Sequence, residues 1–206
     1  MKPPPILKKD PTRSFYQTHS QVYADATRVR ALADVLVNFL RELPGDASIL
    51  DLGSGGGHDL LTITRNGRFG AGLDYAESIA RIARSISSAP VVVADIRAIP
   101  FRNGVFHGVW ASASLLHLPR SELTGALEEV RRILRPNGLF FASVKAGKAE
   151  FQDQNGRHFV LYELDDWKKA LIEAEFDLIS VEYNDNIESS RNLQADRWLS
   201  SLVIRR

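Results

Sequence analysis

The stretch from Ile49 to Asp59 narrows the possible folds more than any other part of the chain: Ile-Leu-Asp-Leu-Gly-Ser-Gly-Gly-Gly-His-Asp. A short apolar run ends in an acid and a glycine. Glycines at alternate positions then let the backbone turn tightly and pass close to a ligand before a helix begins. The turn is not a dinucleotide fingerprint, because the sixth position counted from Gly53 is His58 rather than Gly or Ala. It is not a P-loop either, since no Gly-Lys-Ser/Thr follows. A merely flexible loop is the plain alternative, and three alternate glycines on a strand–loop–helix junction argue against it. An acid ahead of the turn suits a ligand with a cationic group better than a pyrophosphate.

Around this junction the hydrophobic rhythm alternates. Ser48–Leu52, Phe69–Leu73, Pro90–Ala94, Val105–Ala111 and Gly138–Val144 read as strands. The segments around Leu60–Ile63, from Ala76 to Ile86 and from Glu122 to Leu134 read as helices, the last with Leu123, Leu127, Val130 and Leu134 in one stripe. This order predicts right-handed βαβ units and an α/β fold: a mostly parallel sheet with helices on both faces. Ahead of it, helical spacing runs from Thr18 to Leu43, as one helix or two. Behind it come a polar insertion at 146–164 with a short strand at Phe159–Tyr162, a helix from Asp165 to about Ala174, and strands at Phe176–Tyr183 and Arg197–Ile204. Their connection, 184–196, has no helical stripe, so the two should pair antiparallel at one sheet edge. Residues 1–14, with a proline run and lysines, read as a flexible lead-in, and 15–206 as a single domain.

Composition removes several chemistries. With no cysteine there is no disulfide framework, thiolate metal site or Cys nucleophile. The histidines are scattered without a His-x-x-x-His pair, so no metal site is expected. No apolar run suits a membrane span, and the first residues lack a signal-peptide segment; a cytoplasmic protein is expected. The net charge is +1, and residues 148–206 hold 8 Lys+Arg against 12 Asp+Glu, which disfavours a broad nucleic-acid groove.

Two further acids end strands. Asp74 stands where a carboxylate can accept both hydroxyls of a ribose, Tyr75 beside it can cover a base, and Asp95 can take an exocyclic amine, although each acid alone is an ordinary strand end. With these in place the chain resembles the class I S-adenosylmethionine-dependent methyltransferases. The resemblance rests on Leu50–Gly57, Gly72-Leu73-Asp74, Ala94–Phe101, Phe106–Ala111 and Leu134–Leu139, and covers about residues 15–206. Within that superfamily it is most similar to small bacterial enzymes, through the Tyr16 and Tyr23 helix and Gly156–Tyr162.

The resemblance implies a Rossmann-like seven-stranded sheet with an antiparallel last strand, and S-adenosyl-L-methionine as cofactor, leaving S-adenosyl-L-homocysteine. It implies that Gly53, Ser54, Gly55 and Gly57 hold the methionine part, with Asp51 near its amino group. Asp74 would bind the ribose, Tyr75 the adenine face, and Asp95 with the Ile96 backbone the adenine edge, while Ala111 would flank the methionine moiety. Three positions depart from the family pattern: His107 where Asp is common, Ser54 where Cys is common, and Glu175 in place of a helix-ending glycine.

Acceptor-side residues are less marked. His117 has the ordinary pKa of a neutral-pH base, though the family often carries His there with no base role. Lys145 could bind an anionic substrate or be a solvated strand end. Arg157 and Tyr162 lie in the 146–164 insertion, where substrate contacts are expected, with aromatic packing the preferred role for Tyr162. Tyr16 and Tyr23 belong to an N-terminal lid, 15–47, that could close over the cofactor; for Tyr23 the alternative is the buried stripe of its helix. The function expected is methyl transfer to a small molecule by in-line displacement. The alternatives are an RNA or tRNA methyltransferase on the same core and a non-catalytic cofactor-binding module. Oligomeric state is left open.

Overall fold

The strands predicted by apolar runs assemble into one sheet. The computed structural model describes residues 10–28, 32–65, 67–184 and 197–206. In it β1 (Ser48–Leu52), β2 (Phe69–Asp74), β3 (Val91–Val93), β4 (Phe106–Ser112) and β5 (Leu134–Lys145) lie parallel in the order β3-β2-β1-β4-β5. These strands read as continuous apolar runs because both faces are covered. On one face Ile49, Trp110 and Phe141 pack with Leu36, Phe39 and Leu40 of the helix Ala33–Arg41 and with Ile63 of the helix His58–Arg65. On the other, Leu50, Val109 and Phe140 pack with the helices Arg120–Ile133 and Leu164–Glu173. Adjacent residues of β1 and β4 thus face opposite layers, as the two-residue period of a strand requires. A further helix, Glu77–Ser87, buries Ala80 and Ala83 against Leu60.

The small hairpin β6 (Glu150–Gln152) and β7 (His158–Val160) is antiparallel and lies in the insertion, so the short strand expected at Phe159–Tyr162 starts one residue earlier and ends two residues earlier, with a partner not foreseen. β8 (Phe176–Asn184) and β9 (Trp198–Arg205) pair antiparallel as expected, but only β8 is at the edge. β9 lies between β5 and β8, giving the full order β3-β2-β1-β4-β5-β9-β8. Residues 185–196 of their connection are outside the described residues. Among the described residues no helix is long and apolar enough to cross a membrane.

The N-terminal expectation needs correction. Residues 1–9 are outside the described residues, but 10–14 are not a loose lead-in: α1 (Pro11–Thr18) starts there. Asp10 accepts the Arg13 amide at 3.2 Å, and Pro11 occupies the first helical turn, where its missing N–H costs nothing. Of the two alternatives for the helical spacing from Thr18 to Leu43, the structure has two helices, α2 (Ser20–Ala26) and the helix Ala33–Arg41, and 29–31 are not described. Two departures from the family pattern also find their packing. His107 accepts the Ser48 amide through Nδ1 at 3.0 Å. Glu175 takes the left-handed conformation (φ 61°) that glycine usually fills and pairs with Arg131.

Candidate active site

The sheet order reverses between β1 and β4, so the crevice beyond their carboxyl ends is where an open α/β sheet binds ligands. The glycine turn builds its floor. Gly53 and Ser54 both donate their amides to the Leu73 carbonyl, at 2.8 and 3.0 Å, tying the turn to β2. At Gly53 (φ 79°) a Cβ would stand 2.4 Å from Ser114 Cβ, so only glycine lets the turn and the loop after β4 meet. Asp74 braces the turn from the next strand: Oδ2 accepts the Gly55 amide and Oδ1 the Ala76 amide, both at 3.0 Å. Burial nevertheless raises the Asp74 pKa to about 6.

Above this floor lies a cavity of about 120 Å³, open to solvent. Its roof is α1 with α2. Arg13 Nε donates to the Tyr75 carbonyl at 3.1 Å, and its guanidinium stacks 5.2 Å from the Tyr75 ring centre. Gln17 and Ser78 exchange two hydrogen bonds, and Thr12 Oγ1 accepts the His158 amide at 2.8 Å. The lid is thereby fastened both to the β2 end and to the β6–β7 hairpin.

Of the residues proposed from sequence, Tyr16, Tyr23, Gly53, Gly55, Asp74, Tyr75, Asp95, Ile96 and His117 all line this cavity. Asp95 arrives already occupied: it accepts the Arg97 amide at 2.9 Å and both Nε and a terminal nitrogen of the Arg97 guanidinium, which also reaches Glu122 at 2.7 Å.

Seven others stand off the wall. Asp51 is 3% exposed and lies behind the turn, where the Leu60 amide donates to its carboxylate while Oδ2 has no partner among the described residues. Burial first, then the Asp59 and Asp74 charges, raise its pKa well above the carboxylate range. Ser54 is buried with its hydroxyl also unpartnered, and the hydroxyl lies against Gly72 of β2 rather than on the cavity. Gly57 serves packing, since a Cβ there would lie 2.7 Å from Ala83 Cα. Ala111 is fully buried in the core, and the next three residues, Ser112, Ala113 and Ser114, make the wall instead.

On the acceptor side the structure agrees with the packing alternatives given for His117 and Tyr162. Lys145 holds its ammonium 5.2 Å from the Phe159 ring centre and 5.8 Å from that of Trp198, which is itself core. Arg157 is bound to Asp153 through Nε at 2.9 Å and a terminal nitrogen at 2.7 Å, with its guanidinium near the Phe15 and Phe159 rings. Tyr162 is 2% exposed and packs on Trp167, with burial pushing its pKa up to about 12, so it is a core residue. His117 is on the wall but is not poised as a base. Its Nδ1–H donates to the His158 carbonyl at 2.6 Å, which leaves Nε2 to accept the Tyr16 hydroxyl at 2.8 Å. Desolvation lowers its pKa to about 4, and both ring nitrogens are taken.

Sequence reasoning missed Arg13, concealed by its nearness to the prolines, and the Ser112–Ser114 corner. Ala113 there has φ 54°, a non-glycine turn that no residue type advertises.

Comparison with known proteins agrees with this geometry. Residues 50–142 match the family described as a methyltransferase domain. An uncharacterized protein of Methanocaldococcus jannaschii is 32% identical over 104 residues, half of this chain and 39% of that one. A tRNA (carboxymethyluridine(34)-5-O)-methyltransferase of Mus musculus is 29% identical over 124 residues, 60% of this chain and 18% of that one. The chain therefore spans well under half the length of these relatives. Among solved structures, the 1,6-didemethyltoxoflavin-N1-methyltransferase of Burkholderia thailandensis, with 1,6-didemethyltoxoflavin and S-adenosylhomocysteine bound, superposes with a TM-score of 0.79 at 17% identity, covering 95% of this chain and 87% of that one.

Proposed function

We propose that this chain, which carries a methyltransferase domain at residues 50–142 in the fold of the class I S-adenosylmethionine-dependent methyltransferases, binds S-adenosylmethionine and transfers its methyl group to a small-molecule acceptor. One observation carries the cofactor part: at the end of β1 the buried Asp51 holds an unpartnered oxygen behind a glycine turn, in line with the Asp74 carboxylate on the next strand. A buried acid lacking a partner is costly, and a cationic amino group would satisfy it. The residues present fit the cofactor. Asp51 would attract its amino group, the Gly53–Gly55 backbone would pass under its methionine part, and Asp74 would accept ribose hydroxyls. Tyr75, Ile96 and Asp95 would surround the adenine. Ser54, Gly57 and Ala111 would support this arrangement from behind the wall.

When bound, the sulfonium supplies a methyl carbon activated for in-line displacement. The chain's own residues then need only position the partners and exclude water, and such positioning can contribute roughly 7–11 kcal/mol. Arg13 and Gln17 hold the roof closed over the β2 end, and His117 fixes the Tyr16 hydroxyl instead of removing a proton.

The mouse relative acts on tRNA, and that observation favours RNA as a second reading of the acceptor. Purified protein incubated with cell extract and methyl-labelled S-adenosylmethionine should label a small molecule identifiable by mass spectrometry. Label recovered in RNA, with binding that weakens steeply with salt, would transfer the case to the second reading. No transfer to any acceptor would leave a binding module only.

A further inference from the structure

We propose that the methyl acceptor is an uncharged aromatic ring, carrying a hydroxyl or ring nitrogen, that enters the corner lined by Tyr16 and Tyr23. This rests on the methyl-transfer reading above and names the acceptor class for the same site.

Charge is segregated along the cavity wall. Asp74, Asp95 and Arg97 stand at the β2 and β3 ends, and the lid adds Asp10 and Arg13, of which Arg13 reaches the same end through Tyr75. Beyond the Gly53–Gly55 turn, on the β4 side, the wall includes Tyr16, Tyr23, Ser112–Ser114, His117, Leu118 and Pro119. His117 is held neutral by its two ring bonds. The cation behind this corner, Arg157, does not line the cavity: it is paired with Asp153, enclosed by Phe15 and Phe159, and meets the corner only through a hydrogen bond to the Tyr16 hydroxyl. An anionic acceptor would lose its water there without gaining a counter-charge. A cationic one would face the sulfonium, like charge against like.

The corner suits a flat ring. Tyr16 and Tyr23 are in edge-to-face contact with each other, at 86° with centroids 4.9 Å apart, so a ring would pack against the outer surface of this pair. Tyr23 Cε1 is 3.5 Å from where a Gly55 Cβ would be, so its ring stands directly over the turn. Tyr16 also crosses His117 at 69°, and His117 adjoins Phe159 at 4.8 Å, extending the aromatic lining toward the β6–β7 hairpin.

Proton balance points the same way. The acceptor's oxygen or nitrogen lone pair bonds the methyl carbon, the carbon–sulfur bond breaks, and sulfur keeps that electron pair. The proton on the nucleophile must leave to water, because the His117 lone pair is occupied by the Tyr16 hydroxyl. A phenol-like ring hydroxyl is acidic enough to release it without a side-chain base, and a pyridine-type ring nitrogen carries no proton to lose.

The test uses the full chain saturated with S-adenosylhomocysteine, whose own binding is measured first by calorimetry. Ligand-observed NMR then compares quinolin-2-one and indole with indole-3-acetate and tryptamine. We expect the neutral rings to bind at least tenfold tighter than the acid or the amine, and Tyr23→Leu, checked for folding by thermal unfolding, to weaken them about tenfold. Equal or tighter binding of the charged analogues, neutral rings that do not bind, or unchanged affinity in Tyr23→Leu would overturn the proposal, and so would labelling of tRNA in a transfer assay. The comparison among ligands on the unmodified chain stands even if the variant does not fold. Failure to bind S-adenosylhomocysteine at all would instead overturn the methyl-transfer reading.

Discussion

Asp51 and Asp74 occupy equivalent strand ends but contribute differently. Asp74 has its oxygens bonded to backbone amides and still has its pKa raised to about 6. Asp51 has an oxygen with no partner and is raised well above the ordinary range, first by burial. For an acid raised in the folded state, the native protein holds its proton to a higher pH than the unfolded chain does. The stability this gives is complete below the unfolded value of about 4 and is lost as pH rises through the folded pKa. Asp51→Asn keeps the shape and removes the ionisation. Its unfolding free energy in denaturant should match the wild type near pH 4 and exceed it by a widening margin toward pH 8, while its affinity for S-adenosylmethionine falls by tenfold or more. A variant less stable than the wild type at pH 8 would remove the argument. Asp74 predicts that cofactor affinity, measured calorimetrically, declines as pH falls below about 6, where its carboxylate gains a proton and ceases to accept two hydroxyls. His117 gives the converse expectation. As a positioning group neutral above about pH 4, it sets no limb of the pH–rate profile near 6.5. His117→Asn should lower kcat/KM and leave the pH profile in place; loss of an ionisation near neutrality would restore the base role.

At the scale of elements, the site is a sheet edge roofed by a short lid. α1 has eight residues, too few to be helical alone, and is held by Asp10 at its start and by bonds from Arg13, Gln17 and Thr12. Asp10→Ala removes one of these and should cost about 1 kcal/mol locally. The expected result is faster amide exchange over 11–18 and weaker cofactor binding, with unchanged exchange in β1 and β4. Uniformly faster exchange would mean that the lid unfolds with the sheet. α1 was hidden in the sequence because a proline beside other prolines reads as a break, and nothing local distinguishes a proline in a first helical turn. The glycine turn and the three strand-end acids were legible because tight backbone and apolar runs leave a direct mark on residue type. Packing was already the preferred role for Tyr162, whereas the Ser112–Ser114 wall was not legible, since it follows from which distant segments arrive there. The same is true of β9, whose place between β5 and β8 depends on long-range pairing that a one-dimensional pattern does not encode.

Over the whole molecule, the cost lies in one place and the stability elsewhere. Trp110 shows the stable part: fully buried, stacked on Phe141 at 4.0 Å, and donating Nε1–H to Asp59 at 2.9 Å, it joins the sheet core to the helix that follows the glycine turn. Asp51, the register partner of Trp110 on β1, and Ser114, on the cavity wall, are buried with side-chain oxygens that have no partner among the described residues. A ligand that satisfies those groups binds the native state alone, and its binding free energy then adds to stability. At a concentration 100 times Kd this is about 2.7 kcal/mol. For a chain of this length each kcal/mol moves Tm by roughly 2–4 °C, so S-adenosylhomocysteine at that excess should raise Tm by about 5–10 °C. Asp51 binds the amino group in this scheme, so adenosine, which lacks the amino acid part, should give a much smaller shift at the same molar concentration, and Asp51→Asn should bring the two shifts together. Equal shifts from both ligands on the wild type would mean that the energy comes from the adenosine end alone and that the acid behind the turn contributes nothing to binding.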